Sequence, residues 1–338
     1  MSRRPALALL LLPALLVGCD ALGGGAGGAE DTAARLFPVQ QDGKRALIDK
    51  TGRVAVDLAR YNKVRDGAEG LVPARYWDGR NVWDFYGADG EVAFSASVDE
   101  AYAPREGRAR VRIDGRWAFV DGDGRFLVNP YLGDARDFSE GRARVRTTSW
   151  EWGMMDRTGA VVVEPQWGSL GPLRGGRARF ERDGAHGYVD ADGETVIEAA
   201  YDDARDFSEG RAAVRQGQRW FYVDAENGRP LGTQTFISAG DFSEGLAPVR
   251  TENKWEYVGR DGARRIGPQF DEARAFRDGR AAVEVDGRWT FVRPDGSLVR
   301  EPEFDEVADF SGGLAAVVVG GAVGYVDREG AYVWFPRD

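Results

Sequence analysis

The sequence repeats itself with a period of 34 or 35 residues over almost its whole length. Stretches of the type Ser-Glu-Gly-Arg-Ala-Ala-Val-Arg place a glycine at Gly70, Gly107, Gly141, Gly176, Gly210, Gly245, Gly279 and Gly313. The first spacing is 37 and every later one is 34 or 35. A second column follows each marker: Trp83, Trp117, Trp152, Trp220, Trp255 and Trp289, with His186 and Val323 in the remaining rungs. A fixed period of this size is the mark of a repeat array. Each unit cannot bury its apolar face alone and stacks on the next.

Residues 201–235 serve as a specimen. A turn at Ser208-Glu209-Gly210 leads into Arg211-Ala212-Ala213-Val214-Arg215, whose alternation is that of a half-buried strand. A second turn precedes Trp220-Phe221-Tyr222-Val223-Asp224, an aromatic and β-branched strand. A third turn and a short third strand complete the unit. Pro130, Pro165, Pro268 and Pro302 recur beyond that turn and are expected to end the third strand or mark an edge. No segment keeps a helical period. A hydrophobic column, Leu132/Trp167/Tyr201/Phe236/Phe270/Phe304, and an aromatic one, Phe138/Phe207/Phe242/Phe276/Phe310, are expected to join the tryptophans as core ladders.

The chain is therefore read as all-β: a tandem array of about nine 34-residue antiparallel three-stranded units, forming an open curved β-solenoid. The alternative is a closed β-propeller with one unit per blade. Propellers usually have roughly four to eight four-stranded blades, and a 34-residue unit is short for four strands.

The composite pattern F-S-E-G-x-A-x-V … W-x-x-V/M-D-x-x-G … P-x-F-D resembles the WG-repeat family of bacterial proteins, over residues 36–335. The departure lies in the pair that gives the family its name. Only Trp152-Gly153 is a true Trp-Gly; His186-Gly187 and Val323-Gly324 keep the glycine alone. The resemblance implies a β-rich array, often exported, and carries no catalytic residues.

The N-terminal region reads differently. Arg3 and Arg4 precede twelve apolar residues, Ala6 to Val17, too few to span a bilayer as a helix. Leu16-Val17-Gly18-Cys19 looks like a bacterial lipobox, and Cys19 is the only cysteine. Residues 1–18 are thus expected to be a signal peptide, 19–34 a lipidated Cys19 with a glycine-rich tether, and 35–338 the repeat domain. More than one acyl chain on Cys19 would anchor the protein stably to a membrane. Asp20 resembles an inner-membrane retention signal, which favours the periplasmic face of the inner membrane of a bacterial cell envelope, with the outer membrane as the alternative.

The formal charge is −10, and 43 basic against 55 acidic residues remain without the signal segment. An acidic surface argues against nucleic acid as a partner. Arginine outnumbers lysine 41 to 4, which is read as genome composition. A single cysteine excludes intramolecular disulfides, and one histidine leaves little for a transition metal; no metal or other cofactor is expected.

Candidate chemistry is sparse. Asp121-Gly122-Asp123-Gly124 and Asp190-Ala191-Asp192-Gly193 look like the start of a calcium loop, but the first aspartate is replaced by Gly87, Gly259 and Arg293 in other units, and they are read as hairpin-turn residues. Asp202-Asp203, Asp271-Glu272 and Asp305-Glu306 are paired carboxylates that could hydrolyse glycosides. They recur at one repeat position and are read as charges paired across repeats with Arg205 and Arg274. Trp77, Trp150 and Trp334 fall outside the columns, and His186 replaces the tryptophan on its own rung. Trp77, Trp150 and His186 are the candidate binding residues. The expectation is a monomeric, lipid-anchored binding or scaffold protein for an unidentified protein or glycan, and not an enzyme. A structural spacer and an envelope hydrolase are the alternatives.

Overall fold

The computed structural model describes residues 36–334, apart from 42–43, 49–53, 66, 77–78, 80, 128–130 and 148–149. The segments 1–18 and 19–34, with Cys19, and the candidate Trp77 lie outside the described residues. The described part belongs to one compact unit, residues 33–338.

Nine small antiparallel sheets follow one another along the chain, spanning 37–57, 61–97, 100–120, 134–167, 169–201, 203–224, 238–270, 272–292 and 306–334. No helix occurs among the described residues. Among the described residues the number of sheets agrees with the repeat count, but five of the nine have four strands rather than the expected three. The fifth sheet shows it: Ser169–Leu170, Ala178–Arg182, Ala185–Val189 and Thr195–Tyr201 pair in simple meander order. The unread strand is the first. It pairs over only two residues, Ser169 with Glu181 and Leu170 with Phe180, which is too short for alternation to register. In the third, sixth and eighth sheets the fourth strand shrinks to isolated bridges, such as Trp117 with Leu132 and Val120 with Phe126.

The fourth strand carries a bulge opposite the glycine of the Trp-Gly pair. Trp152 pairs with Trp167 and Met154 with Val163, so two steps on one strand face four on the other. A β-carbon on Gly153 would collide with the Val163 carbonyl oxygen and lie 2.7 Å from the Pro165 nitrogen. Gly187 faces the same geometry, 2.5 Å from the Ile197 oxygen. Pro165 and Pro268 therefore sit within the fourth strands Val161–Trp167 and Arg264–Phe270 rather than at strand ends. The bulge needs no ladder donor at that point.

Eight apolar clusters bind the nine sheets, one at each junction between consecutive sheets. At the junction of the third and fourth, Phe119 packs with Leu132, Ala135, Phe138, Ala143, Val145 and Met155. The fully buried aromatic column stands two residues after the tryptophan: Phe85, Phe119, Tyr188, Tyr222, Tyr257 and Phe291. The tryptophan column is only partly core. Trp83 and Trp152 are buried, while Trp117, Trp220, Trp255 and Trp289 are half-buried.

The marker turn is built from two consecutive residues in the left-handed region, as a tight type I′ turn requires. At Glu69-Gly70 the φ angles are 50° and 75°, and at Glu140-Gly141 they are 51° and 80°. Glycine takes this conformation freely; glutamate does not. The glutamate is retained because its carboxylate reaches the same turn in the next repeat. Glu69 accepts from the N–H groups of Glu106 and Gly107, at 2.5 and 2.7 Å. Glu106 accepts from Gly141, Glu140 from Gly175 and Gly176, Glu209 from Gly245, Glu244 from Gly279 and Asp278 from Gly313. The series breaks once. Gly175 replaces the acid, and no carboxylate reaches the turn of Gly210 among the described contacts.

Candidate binding site

Most of the recurrent carboxylates are occupied in holding turns. Asp121 Oδ1 accepts from the N–H groups of Asp123 and Arg125, and Asp190 Oδ1 from those of Asp192 and Glu194. This is the Asx-turn role of aspartate. The paired carboxylates cap the hairpin between the second and third strands of their own sheet. Asp202 accepts from Gly217 at 2.6 Å, Asp271 from Asp286 at 2.8 Å and Asp305 from Gly320 at 2.6 Å. Arg215, Lys254 and Arg288 are their ionic neighbours. Arg205 and Arg274, expected as partners across repeats, instead lie over Trp220 and Trp289, at 5.5 and 4.6 Å from the ring centres. Arg274 also faces Asp309 at 3.5 Å.

A separate surface runs along the hairpin edge of the array. One row of side chains crosses each sheet there. An acidic or serine residue of the first strand pairs with residue 112, 146, 181, 215 or 250 of the second, opposite the tryptophan rung of the third. Arg112, for example, stands between Glu100 and Trp117, and Arg215 between Asp203 and Trp220. The planar guanidinium spreads over the indole face, where the ring quadrupole favours a cation. In the third sheet Tyr102 is held between two guanidiniums, Arg65 at 3.7 Å and Arg110 at 4.2 Å. Arg110 also lies 4.7 Å from Trp117.

The fourth sheet alters this pattern. Its second and third strands, Arg142–Arg146 and Trp152–Asp156, are joined by residues 147–151 rather than by a two-residue turn such as Asp114-Gly115. The connection carries Trp150, which is 82% exposed. Arg146 serves both tryptophans, 5.0 Å from the Trp150 ring and 4.9 Å from Trp152. Arg136 lies 5.1 Å from Trp152, and Asp134 binds Arg136 at 2.8 Å and Arg146 at 3.2 Å. An indole is thus presented to solvent beside a fixed guanidinium and carboxylate, a combination suited to stacking and hydrogen bonding with a ligand. His186 falls on the tryptophan rung of the next sheet, opposite Glu181 and Tyr201. It is half-buried, and its Nδ1 has no hydrogen-bond partner. Trp334, in the last strand, is also exposed.

The repeat model described as "WG containing repeat" matches residues 85–117, 117–148, 152–184, 187–220, 236–255, 257–289 and 289–321. The chain belongs to this family. No curated protein matches the sequence of this WG-repeat chain. Solved structures resemble it in fold. The crystal structure of the eukaryotic initiation factor aligns over 90% of this chain and 95% of its own, with a TM-score of 0.58 and 8% identity. BamB from Moraxella catarrhalis aligns over 81% and 96%, with a TM-score of 0.43 and 13% identity. Hsv2p of Kluyveromyces lactis aligns over 82% and 98%, with a TM-score of 0.40 and 11% identity. These neighbours are β-propeller proteins. At such identities the likeness concerns fold alone.

The WG-repeat array also holds charged groups that sequence reading passed over, on the second strands and the segments after the first strands. Asp206 is half-buried and its Oδ1 has no hydrogen-bond partner. Burial pushes its carboxyl above the usual aspartate range, against the pull of Arg179, Arg144 and Arg174. Asp241 is raised for the same reason, although its side chain reaches solvent. Arg144 is pushed down to about 10, first by burial and then by the like charge of Arg136. A departure from the repeat marks the place in the sequence: Leu170-Gly171-Pro172-Leu173-Arg174-Gly175 stands where other repeats have the Ala-Arg-Asp-Phe-Ser-Glu pattern of 135–140.

Proposed function

We propose that this WG-repeat chain is a tethered binding or scaffold protein of a bacterial cell envelope, and that Trp150 is its principal contact for a protein or glycan. The observation that carries the reading is the 82% exposure of Trp150 on a stack fixed by Arg146, Trp152, Arg136 and Asp134. An indole of roughly 150–250 Å² left in water offers roughly 3–5 kcal/mol of burial to a ligand, as an upper bound. A ring already ordered by its neighbours loses little entropy on binding. Asp202, Asp271 and Asp305, the first carboxylate of each pair, are occupied in capping a turn, which supports binding over glycoside hydrolysis. Cys19 would supply the anchor by lipidation, with residues 19–34 as tether.

The open, curved form is the arrangement we adopt for the nine sheets. It draws on the eight clusters that join consecutive sheets in a line from the first to the ninth. An elongated particle in small-angle scattering would support it, and a flat compact disc would replace it with a closed propeller.

Affinity capture from envelope extract, with the full chain and its Trp150→Ala variant side by side, tests the binding reading. Protease and glycan-hydrolase treatment of the extract separates the two partner classes. The reading expects a component retained by the parent chain and lost with the variant. Equal recovery by both chains would remove Trp150 from the account.

A further inference from the structure

Five of the junctions between sheets share one apolar fit. An aromatic ring of the third strand packs with an Ala-x-Val pair in the second strand of the next sheet. Phe119 clusters with Ala143 and Val145, Tyr188 with Ala212 and Val214, Tyr222 with Ala247 and Val249, Tyr257 with Ala281 and Val283, and Phe291 with Ala315 and Val317. Side chains alternate across a strand, so the residues between these point toward the following sheet. In the third to eighth sheets that outward set includes a charge: Arg112, Arg146, Glu181, Arg215, Arg250 or Glu284.

The ninth sheet has Val318 at this position, two residues after Ala316. Its second strand, Leu314–Val319, therefore carries Ala-x-Val on both faces. Ala315 and Val317 are buried against the eighth sheet, whereas Ala316 and Val318 are half-buried and belong to none of the eight clusters. Tyr325 stands on the rung of Phe119, Tyr188, Tyr222, Tyr257 and Phe291, all of them buried, yet it is only half-buried itself. Tyr325 pairs directly with Ala316, and Val323 with Val318, so the ring and the Ala-x-Val pair lie side by side on one face. Leu314 and Val323, each 38% exposed, and Trp334, 50% exposed, extend that face. Trp334 pairs with Tyr325, and their ring centres are 6.3 Å apart.

The polar ties to a following repeat are missing from the same sheet. Leu314 stands where Arg108, Arg142, Arg177, Arg211 and Arg280 each donate from Nε to a carbonyl of the next sheet. Gly312 stands where the carboxylate clamp would begin. A terminal repeat normally turns a polar face outward; this one turns out an apolar face that holds both halves of the junction fit. Such a face complements itself. A two-fold axis along the strands, between the second and the third, sets each copy's second strand over the other's third, with Ala316 and Tyr325 at one level.

We propose that the outward face of the ninth sheet is the interface of an isologous dimer, in which Tyr325 of each copy packs on Ala316 and Val318 of the other. The inference rests on the open arrangement adopted above, which leaves this face uncovered, and is independent of Trp150. Six residues along the strand and three strands across give a face of roughly 20 Å by roughly 14 Å. The dimer then buries less than about 1,200 Å² in total and is weak and reversible.

Sedimentation equilibrium of the full chain, from micromolar to millimolar concentration, tests it beside the Leu314→Arg and Val318→Glu variants. Each variant installs the residue type that other sheets carry at that position, and melting curves verify that both are folded. The mass of the parent chain is expected to rise from one copy to two, with a dissociation constant about tenfold or more higher in each variant. A parent chain that stays monomeric throughout, a dimer unaffected by both substitutions, or assembly beyond two copies overturns the proposal. Small-angle scattering distinguishes the two ways a monomeric parent chain can arise. An elongated monomer overturns the dimer alone, and a flat disc overturns the open arrangement with it.

Discussion

Glu140 binds the backbone at Gly176, its counterpart turn in the next repeat: the carboxylate accepts the Gly176 N–H at 2.8 Å and, through its other oxygen, the Gly175 N–H at 2.8 Å. The bond explains why a left-handed position that favours glycine or asparagine holds glutamate in most repeats. Hydrogen bonds to a charged acceptor contribute about 1.5–3 kcal/mol, and less at an exposed site. Glu140→Gln is therefore expected to destabilise the array by about 1–2 kcal/mol. Urea unfolding monitored by tryptophan fluorescence measures it. A change smaller than the fitting error would leave the clamp without energetic content.

The reverse substitution makes a sharper case. Gly175 has φ 56°, close to the 51° of Glu140, and a β-carbon there meets only Phe207 at an ordinary 3.6 Å. Gly175→Glu should supply the missing link to the Gly210 turn. The expected gain is up to about 1 kcal/mol, after the cost of a side chain at positive φ. A lower melting temperature would show that the break at this junction is required by something other than the absent carboxylate.

Gly153→Ala tests the bulge. The added methyl collides with the fourth strand's backbone, which cannot move aside as a side chain can, and overpacking of this kind costs about 1–3 kcal/mol. Gly168→Ala meets nothing within 4 Å and serves as the neutral control. Equal melting temperatures for the two variants would mean that the bulge adapts freely.

Tyr222→Phe probes the junction between sheets. The Tyr222 hydroxyl donates to the Gly240 carbonyl at 2.7 Å, as Tyr188 does to Arg205 and Tyr257 to Arg274. Phe119 and Phe291 fill the same rung elsewhere, so the ring fits without its hydroxyl. The loss is expected to be about 1 kcal/mol, seen as a small drop in unfolding midpoint with an unchanged urea slope.

Asp241 predicts a pH dependence. Burial raises its carboxyl above the ordinary value, while Arg205 and Arg277 pull it down and Asp206 pushes it up. A carboxyl raised on folding binds more protons in the native state than in the unfolded one. It therefore costs stability as pH rises through the window from 3.8 upward, and that cost is fully present above the raised value. Asp241→Asn should melt above the parent chain at pH 7, with the difference shrinking toward pH 4. A difference independent of pH would assign the effect to packing.

Much of this architecture was legible in the sequence because it rests on residues with few alternatives. Glycine at a left-handed turn, alternation in the second strand and aromatic-plus-valine runs in the third fixed the period and the number of units. The first strand escaped because two residues, such as Asp203-Ala204, carry no period. The clamp escaped because glutamate in a turn reads as a solvated charge; its signal was the placement of Glu140 where a type I′ turn prefers other residues. The tryptophan column was read as core because its surface neighbours, Arg136, Arg205 and Arg274, come from in or just after the short first strand of the same sheet, which the sequence did not reveal. Trp150 was legible as a departure from the columns, and its ring is exposed.

Carboxylates tie each repeat to the next, with one break at Gly175. Amide hydrogen exchange at the marker glycines, read residue by residue by NMR, tests it most directly. The N–H groups of Gly107, Gly141, Gly176, Gly245, Gly279 and Gly313 are each held by a carboxylate and should exchange slowly. Gly210, whose preceding repeat has Gly175 in place of the acid, should exchange fastest of the seven. Protection of Gly210 equal to that of its counterparts would contradict the account.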